Sequence, residues 1–396
     1  MLNQFFQIGI LAIFSTLITS LVKNRLLRFP LAFLLCTFLG LELFSLYMSG
    51  TFIDYRFYAH FDTNTLQYGY RQYLLQGMIL TLIIISATFL LFKYSVRAVL
   101  PKKTTYLSLF AAGFIMCIGN SIFGNIYKIT QIVSAPQNVS FIQALNKLGV
   151  PADDYITPNM VEATKGKNII IIIMESAEKN FMGPEFGNLM PRLTALSKEM
   201  TFFSDMKMTS GGSWTSGALY SYLTGVPAFF SDSQNSNLQG VSNSELTGLT
   251  TVLEKAGYIT TFIVGMPEFA GIDSLFKMYG INIMSEKNIY PKPLTTAMGM
   301  ADYDTFAVAK REIIKMKSPF ALGIITVDTH HPTGVYDKRM EGKVPNRTSS
   351  LQFMMSALDY HIGDFVNFLK DQGLYDSTAI YILPDHLLMN SSDNTK

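Results

Sequence analysis

The sequence predicts a protein in two parts. About four membrane-spanning α-helices occupy residues 1–130, a linker covers 131–167, and an exported α/β domain fills 168–396, with a mostly parallel sheet and helices on both faces. Three observations predict this. Charged residues make up only 15% of the 396, and hydrophobic ones 49%, whereas an average globular chain is roughly 25% charged; the apolar excess sits in the first third. From Asn168 onward, β-branched runs alternate with helical periodicities, as in a parallel sheet covered on both sides. Residues suited to chemistry follow directly after the strand runs, where open α/β sheets collect ligands.

Four apolar segments, Phe5–Val22, Pro30–Met48, Leu74–Phe92 and Tyr106–Tyr127, approach the ~20 residues a helix needs to cross a bilayer. A cleaved signal peptide fits the first poorly, because no basic stretch precedes it and a second span follows at once. Lys23, Arg25 and Arg28 fill the first connection and Lys93, Arg97, Lys102 and Lys103 the third. The second mixes Asp54 and Asp62 with Arg56 and Arg71. The positive-inside rule then puts the first and third connections in the cytoplasm, and the N-terminus and everything after Tyr127 outside. Cys36 and Cys117, the two cysteines, both fall in expected spans, so the exported part needs no disulfide. A net charge of +2 argues against a nucleic-acid surface. The sequons at Asn138 and Asn346 occur by chance too often to imply a eukaryotic secretory route.

The linker is polar; within it Phe141–Leu148 reads either as an amphipathic helix on the membrane or as a plain linker helix. "NIIIIIM" from Asn168 reads as a strand buried on both faces, "PRLTALSKEM" as a helix, "TFFSDMKM" as a strand and "SWTSGALYSYLTG" as a helix. "LTTVLEKAG" is helical, with Gly257 as its stop; "YITTFIVG" is a strand, "DTFAVAKREIIKM" a helix and "FALGIITV" a buried strand. Apolar residues from Leu351 to Leu369 recur at helical spacing, and "STAIYIL" closes the series as a strand.

Glu175 and Ser176 follow the first of these strands; Asp328, Thr329, His330 and His331 follow "FALGIITV"; Asp385 and His386 follow the last. Three of the five histidines thus stand at strand ends. Carboxylates and imidazole converging there suit Mn²⁺, Zn²⁺ or Mg²⁺. Each residue also has a plain reading, Glu175 as a helix cap and the others as turn residues. Thr215, beside Trp214, the one tryptophan, is either an N-cap or a nucleophile at a helix start that favours anions.

"NIIIIIMES", "GGSWTSGA", "TVDTHHP" and "LPDH", in this order, resemble the alkaline-phosphatase/sulfatase superfamily, in its branch of phosphoglycerol transferases and lipoteichoic acid synthases. "SWT" and "DTHHP" look closest to the bacterial phosphoglycerol transferases acting on periplasmic glucans. The resemblance covers about Lys167–Asn390 and implies Glu175, Thr215, Asp385 and His386 as ligands of one divalent ion, Mn²⁺ ahead of Mg²⁺ or Zn²⁺. It also implies Thr215 as nucleophile, His330 facing the substrate phosphate, and Trp214 and His331 against the substrate. The implied protein is a bacterial inner-membrane enzyme with its catalytic domain in the periplasm, taking phosphoglycerol from phosphatidylglycerol to a glycan or polyglycerolphosphate acceptor. "MPEFAG" stands where lipoteichoic acid synthases have a His-Gly pair, which favours the glucan branch. No cysteine-rich exported domain of the phosphoethanolamine transferase kind is present, nor the Cys/Ser-x-Pro-x-Arg of true sulfatases. Family members continue well beyond their Asp-His pair, which implies a chain truncated at its C-terminus. Two alternatives remain: a phosphodiesterase-like hydrolase, and an inactive truncated membrane protein.

Overall fold

The computed structural model describes residues 2–54, 57–58, 73–95, 101–118, 121–134, 140–147, 151, 153, 155–208, 212–228, 244, 246–296, 298–331 and 333–388. Arg56, Asp62, Arg71, Arg97, the Asn138 sequon, Leu148 and Asn390 lie outside the described residues. The chain divides into two compact units, one up to Ala135 and the other mainly from Pro136 onward.

The first unit is helical: α1 (Leu2–Leu21), α2 (Arg25–Ser49), α3 (Leu74–Tyr94), α4 (Lys102–Ile115) and α5 (Ile122–Val133). Among the described residues three helices, Asn3–Leu21, Arg25–Met48 and Leu74–Tyr94, are long and apolar enough to cross a membrane. The segment expected as a fourth continuous span is instead broken into α4 and α5. Gly119, Asn120 and Ser121 are poor helix formers, and the Met116 carbonyl accepts the Ser121 hydroxyl at 2.6 Å and the Phe123 N–H at 2.7 Å. Asn24 starts α2 by accepting the Leu26 N–H at 2.9 Å. Ile10, Leu11, Phe52, Ala112, Met116 and Ile122 form the unit's core. The α3 face carrying Leu75, Leu82 and Phe89 stays exposed, as a lipid-facing helix requires.

The second unit is α/β. After α6 (Phe141–Lys147) come β1 (Asn168–Met174), α7 (Pro191–Glu199), α8 (Thr215–Thr224), α9 (Leu249–Lys255) and β2 (Thr260–Ile263). Then follow α10 (Ile272–Met278), β3 (Asn282–Met284), β4 (Thr295–Thr296), β5 (Gly299–Met300), α11 (Asp302–Ile313), β6 (Ala321–Ile325), α12 (Ser350–Asp371) and β7 (Thr378–Pro384). The main sheet has the order β3-β2-β6-β1-β7, with every pairing parallel. The isoleucines of β1 lie at its centre because that strand is covered on both faces: Ile170 and Ile172 are fully buried against α7, α11 and α12 side chains, each worth roughly 1.5–3 kcal/mol.

Two expectations differ from the fold. "TFFSDMKM" is not a strand: residues 201–208 are irregular, and Phe202 and Phe203 are 47% and 74% exposed, so no sheet neighbour is there to reward an extended run. The sequence reading also left α10 and β3 unassigned; β3 is only three residues long and pairs at the sheet edge, too short for a periodicity to register. In the linker, the Phe141 ring packs edge-on against Tyr155 at 5.0 Å, and the Tyr155 hydroxyl accepts the Thr247 N–H at 2.9 Å.

Candidate metal and phosphoryl-transfer site

The register of the sheet builds the site. Met174 of β1 is paired with Pro384 of β7, so the next residue of each strand, Glu175 and Asp385, emerges beside the other at the carboxyl edge. The ladder continues one step further, the Asp385 N–H donating to the Met174 carbonyl at 3.0 Å. Glu175, Asp385 and His386 are 4%, 1% and 5% exposed, and a ligand atom from each lies within 4.8 Å of the others.

Their orientation is fixed by hydrogen bonds. The His386 ring donates from Nδ1 to the Leu387 carbonyl at 2.8 Å, leaving Nε2 with its lone pair 3.4 Å from Asp385 Oδ2 and 3.6 Å from Glu175 Oε1. Ligand atoms at about 2.0–2.1 Å from a common tetrahedral ion stand ~3.4 Å apart, so this donor set fits a small divalent cation. Burial of two carboxylates together is otherwise costly. Burial and the Glu175 charge push the Asp385 carboxyl up to about 7. Burial alone would lower the His386 imidazole, but the Asp385 and Glu175 carboxylates hold it above its ordinary value.

Thr215 is the first residue of α8, and Trp214 occupies the N-cap position, its carbonyl accepting the Ala218 N–H at 2.9 Å. The threonine hydroxyl is therefore not spent on capping; it donates to Asp385 Oδ2 at 3.0 Å. The helix is held in this place by Ser216, which donates to the Ala270 carbonyl at 2.8 Å, and by Tyr222, which donates to the Pro384 carbonyl at 2.6 Å. Four residues singled out by sequence, Glu175, Thr215, Asp385 and His386, thus meet at one point. His330 is near enough to feel the charges of His386 and Asp385; burial and His386 lower its imidazole to about 4. Its Nδ1 bonds the His331 carbonyl at 2.8 Å, which leaves Nε2 as the free nitrogen. Trp214 and His331, expected against the substrate, are 3% and 9% exposed; burial and His330 lower His331 to about 4.

Three residues have supporting roles that the sequence reading did not assign: it placed Ser176 and Asp328 at strand ends and did not single out Asp302. Ser176 takes φ of 52°, a left-handed conformation that costs a non-glycine residue on the order of 1–3 kcal/mol. In exchange it touches both carboxylates: its hydroxyl donates to Glu175 Oε1 at 2.5 Å and its N–H to Asp385 Oδ1 at 2.8 Å. Asp302 and Asp328 form a reciprocal clasp. Asp302 accepts the N–H groups of Val327 at 2.8 Å and Asp328 at 3.3 Å, and Asp328 accepts the Asp302 N–H at 2.9 Å. Burial raises both carboxyls, Asp328 to about 7; Asp302 is raised well above its ordinary value by burial and by the charge of Asp328. The clasp fixes the turn that carries His330, and Thr329 anchors it by donating to the Glu175 carbonyl at 2.6 Å. The available signal was Asp302 at a helix start, indistinguishable in sequence from an ordinary acidic first turn.

The sulfatase family model matches residues 167–395. Phosphoglycerol transferase I of Xanthomonas axonopodis pv. citri (strain 306) is 27% identical over 245 residues, covering 57% of this chain and 34% of that protein. Phosphoglycerol transferase I of Escherichia coli (strain 55989 / EAEC) is 26% identical over 298 residues, 69% of this chain and 38% of that protein. The chain therefore spans about a third of the length of the curated relatives it matches. In fold it is similar to the integral membrane lipooligosaccharide phosphoethanolamine transferase A of Neisseria meningitidis, with a TM-score of 0.51 and 12% identity, over 96% of this chain and 76% of that one.

Proposed function

Because this chain belongs to the sulfatase family, we propose that it is a membrane-anchored transferase working through a covalent ester on Thr215. It moves phosphoglycerol from phosphatidylglycerol to a glycan or polyglycerolphosphate acceptor on the periplasmic side of a bacterial inner membrane. The names of the relatives support the phosphoglycerol cargo, and three membrane-length helices support a lipid donor. The observation that carries the reading is the Thr215 hydroxyl, at a helix start and bonded to Asp385 within the carboxylate–imidazole cluster.

Glu175, Asp385, His386 and the Thr215 oxygen hold one divalent cation, Mn²⁺ ahead of Mg²⁺ or Zn²⁺. Such an ion, when bound, lowers the pKa of a hydroxyl and neutralises phosphoryl oxygens. A free threonine hydroxyl is a weak nucleophile; Asp385 Oδ2 is placed to take its proton, and the first turn of α8 favours the resulting negative charge. Thr215 Oγ1 bonds to the donor phosphorus while the bond to the diacylglycerol oxygen breaks, and that oxygen takes its proton from water. An acceptor hydroxyl then gives its proton to the neutral His330 Nε2 and attacks the ester; Asp385 returns its proton to Thr215 Oγ1, and His330 releases its own to water. Helix N–H groups and His330 position the phosphate throughout.

The test is incubation of the full chain and Mn²⁺ with phosphatidylglycerol labelled in its headgroup glycerol. Diacylglycerol release and a labelled peptide containing Thr215 are expected, with both lost in Thr215→Ala. Label on another residue, or full turnover in the alanine variant, rejects the covalent-threonine reading; diacylglycerol release with the label passing only to water favours a hydrolase.

A further inference from the structure

We propose that the groove between α2 and α3, at the Arg25 end of α2, is a site for one anionic phospholipid, with an acyl chain in the groove and the phosphate at Arg28. The groove is a cavity of about 300 Å³ lined by Phe29, Phe33, Ile85, Thr88 and Phe89. Its one hydroxyl is already committed, Thr88 donating to the Ile84 carbonyl at 2.7 Å, so the wall offers nothing but hydrocarbon to a guest. A run of aromatic contacts leads out of it. Phe29 lies against Phe89 at 5.9 Å and edge-on to Phe92 at 5.5 Å, and the Arg28 guanidinium sits 4.9 Å from the Phe92 centroid.

Arg28 is the unusual member. An arginine near the end of a membrane helix ordinarily extends its head to the water. This one is 7% exposed, its Nε is buried without a hydrogen-bond partner, and no carboxylate among the described residues forms an ion pair with it. A buried guanidinium is costly unless an anion pairs with it, and its planar fork matches phosphate in a bidentate manner. Lys23 and Arg25 on the same connection, and Lys93 at the end of α3, add the positive field that gathers anionic headgroups at a membrane surface. A charge in want of an anion and a hydrocarbon slot one helical turn away together describe a phospholipid. The groove is built from residues of the helical unit alone, and the inference does not rest on the transferase reading.

The experiment uses the full chain in phosphatidylcholine nanodiscs carrying phosphatidylserine, whose headgroup is not the proposed donor's, with retained lipid counted by native mass spectrometry. One phosphatidylserine per chain is expected, retained at least five-fold over phosphatidylcholine, and Thr215→Ala leaves this unchanged. Arg28→Gln removes the preference, Arg28→Lys keeps at least half of it, and Ile85→Trp, which fills the slot, lowers retention of lipid altogether. Equal retention of the two lipids, an unchanged preference in Arg28→Gln, or Arg28→Lys no better than Arg28→Gln each overturns the proposal. The lysine variant separates lost charge from lost fold.

Discussion

Asp385 holds backbone and side chain in place at once: Oδ1 takes the N–H groups of Ser176 and His386, and Oδ2 takes the Thr215 hydroxyl. Asp385→Asn preserves its size and removes the charge, so Mn²⁺ affinity should fall at least 100-fold while thermal stability without metal changes little. Isothermal titration reads this, and stoichiometric binding at wild-type affinity would remove Asp385 from the ligand set. A second residue acts at a distance from the site. His361 on α12 stacks on Phe306 at 5.5 Å and 10°, with Nε2 buried and unbonded, and burial lowers it to about 4. The folded state thus keeps it neutral while the unfolded chain binds a proton below its ordinary 6.5. Its contribution is fully present above pH 6.5 and is lost as pH falls toward 4, about 2 kcal/mol by pH 5. His361→Phe should narrow the drop in thermal midpoint between pH 7.5 and pH 5; an equal drop in both proteins rejects the assignment. Glu175, Asp385 and His386 were legible in sequence because they follow strands, and Thr215 because it stands at a helix start. The roles of Ser176 and Asp302 were not, since they arise from a left-handed turn and a contact between segments 26 residues apart.

Elements here are fitted by small residues and borrowed caps. Gly323 of β6 is paired with Phe262 of β2, and a Cβ on it would stand 2.2 Å from the Phe262 ring, itself packed on Phe276 at 4.8 Å. Gly323→Ala should cost about 1–3 kcal/mol through overpacking, and Phe262→Leu should recover part of it in a double-mutant cycle. Additive losses would mean the two residues do not press on each other. The start of α7 has no capping side chain of its own; Asp359, from α12, accepts the N–H groups of Arg192 and Leu193 at 3.0 and 2.8 Å. Asp359→Ala should therefore lower stability by about 1–2 kcal/mol, measured by denaturant midpoint, and no change would show those N–H groups to be satisfied otherwise. Long periodic elements such as α12 and β1 could be read from the sequence. The short β3 could not, nor could the irregular run at 201–208, where two adjacent phenylalanines mimic a strand without a partner.

At the scale of the whole chain, composition separated the apolar helical unit from the α/β one, since apolar excess and strand–helix alternation occupy different stretches. It did not foresee the break between α4 and α5, because hydropathy averages over the short step from Met116 to Ile122. The proposed topology still needs that broken segment to return the chain to the outer side. An alkaline phosphatase reporter fused after Lys167 should be active and a cytoplasm-dependent one silent; the opposite pair of results would place the second unit inside.

The pairing of Met174 with Pro384 also carries a message about time. One half of the cation site is made early in synthesis, at the end of β1, and the other more than 200 residues later, with β7. Until that strand docks beside β1, Glu175 lacks Asp385 and His386 and the cluster does not exist. Since an ion that binds only the docked state stabilises it by mass action, the proposed cation would make metal supply a determinant of how firmly β7 stays in place. Chelation should then loosen β7 before it disturbs β2 or β6, an order that amide exchange along the three strands would record.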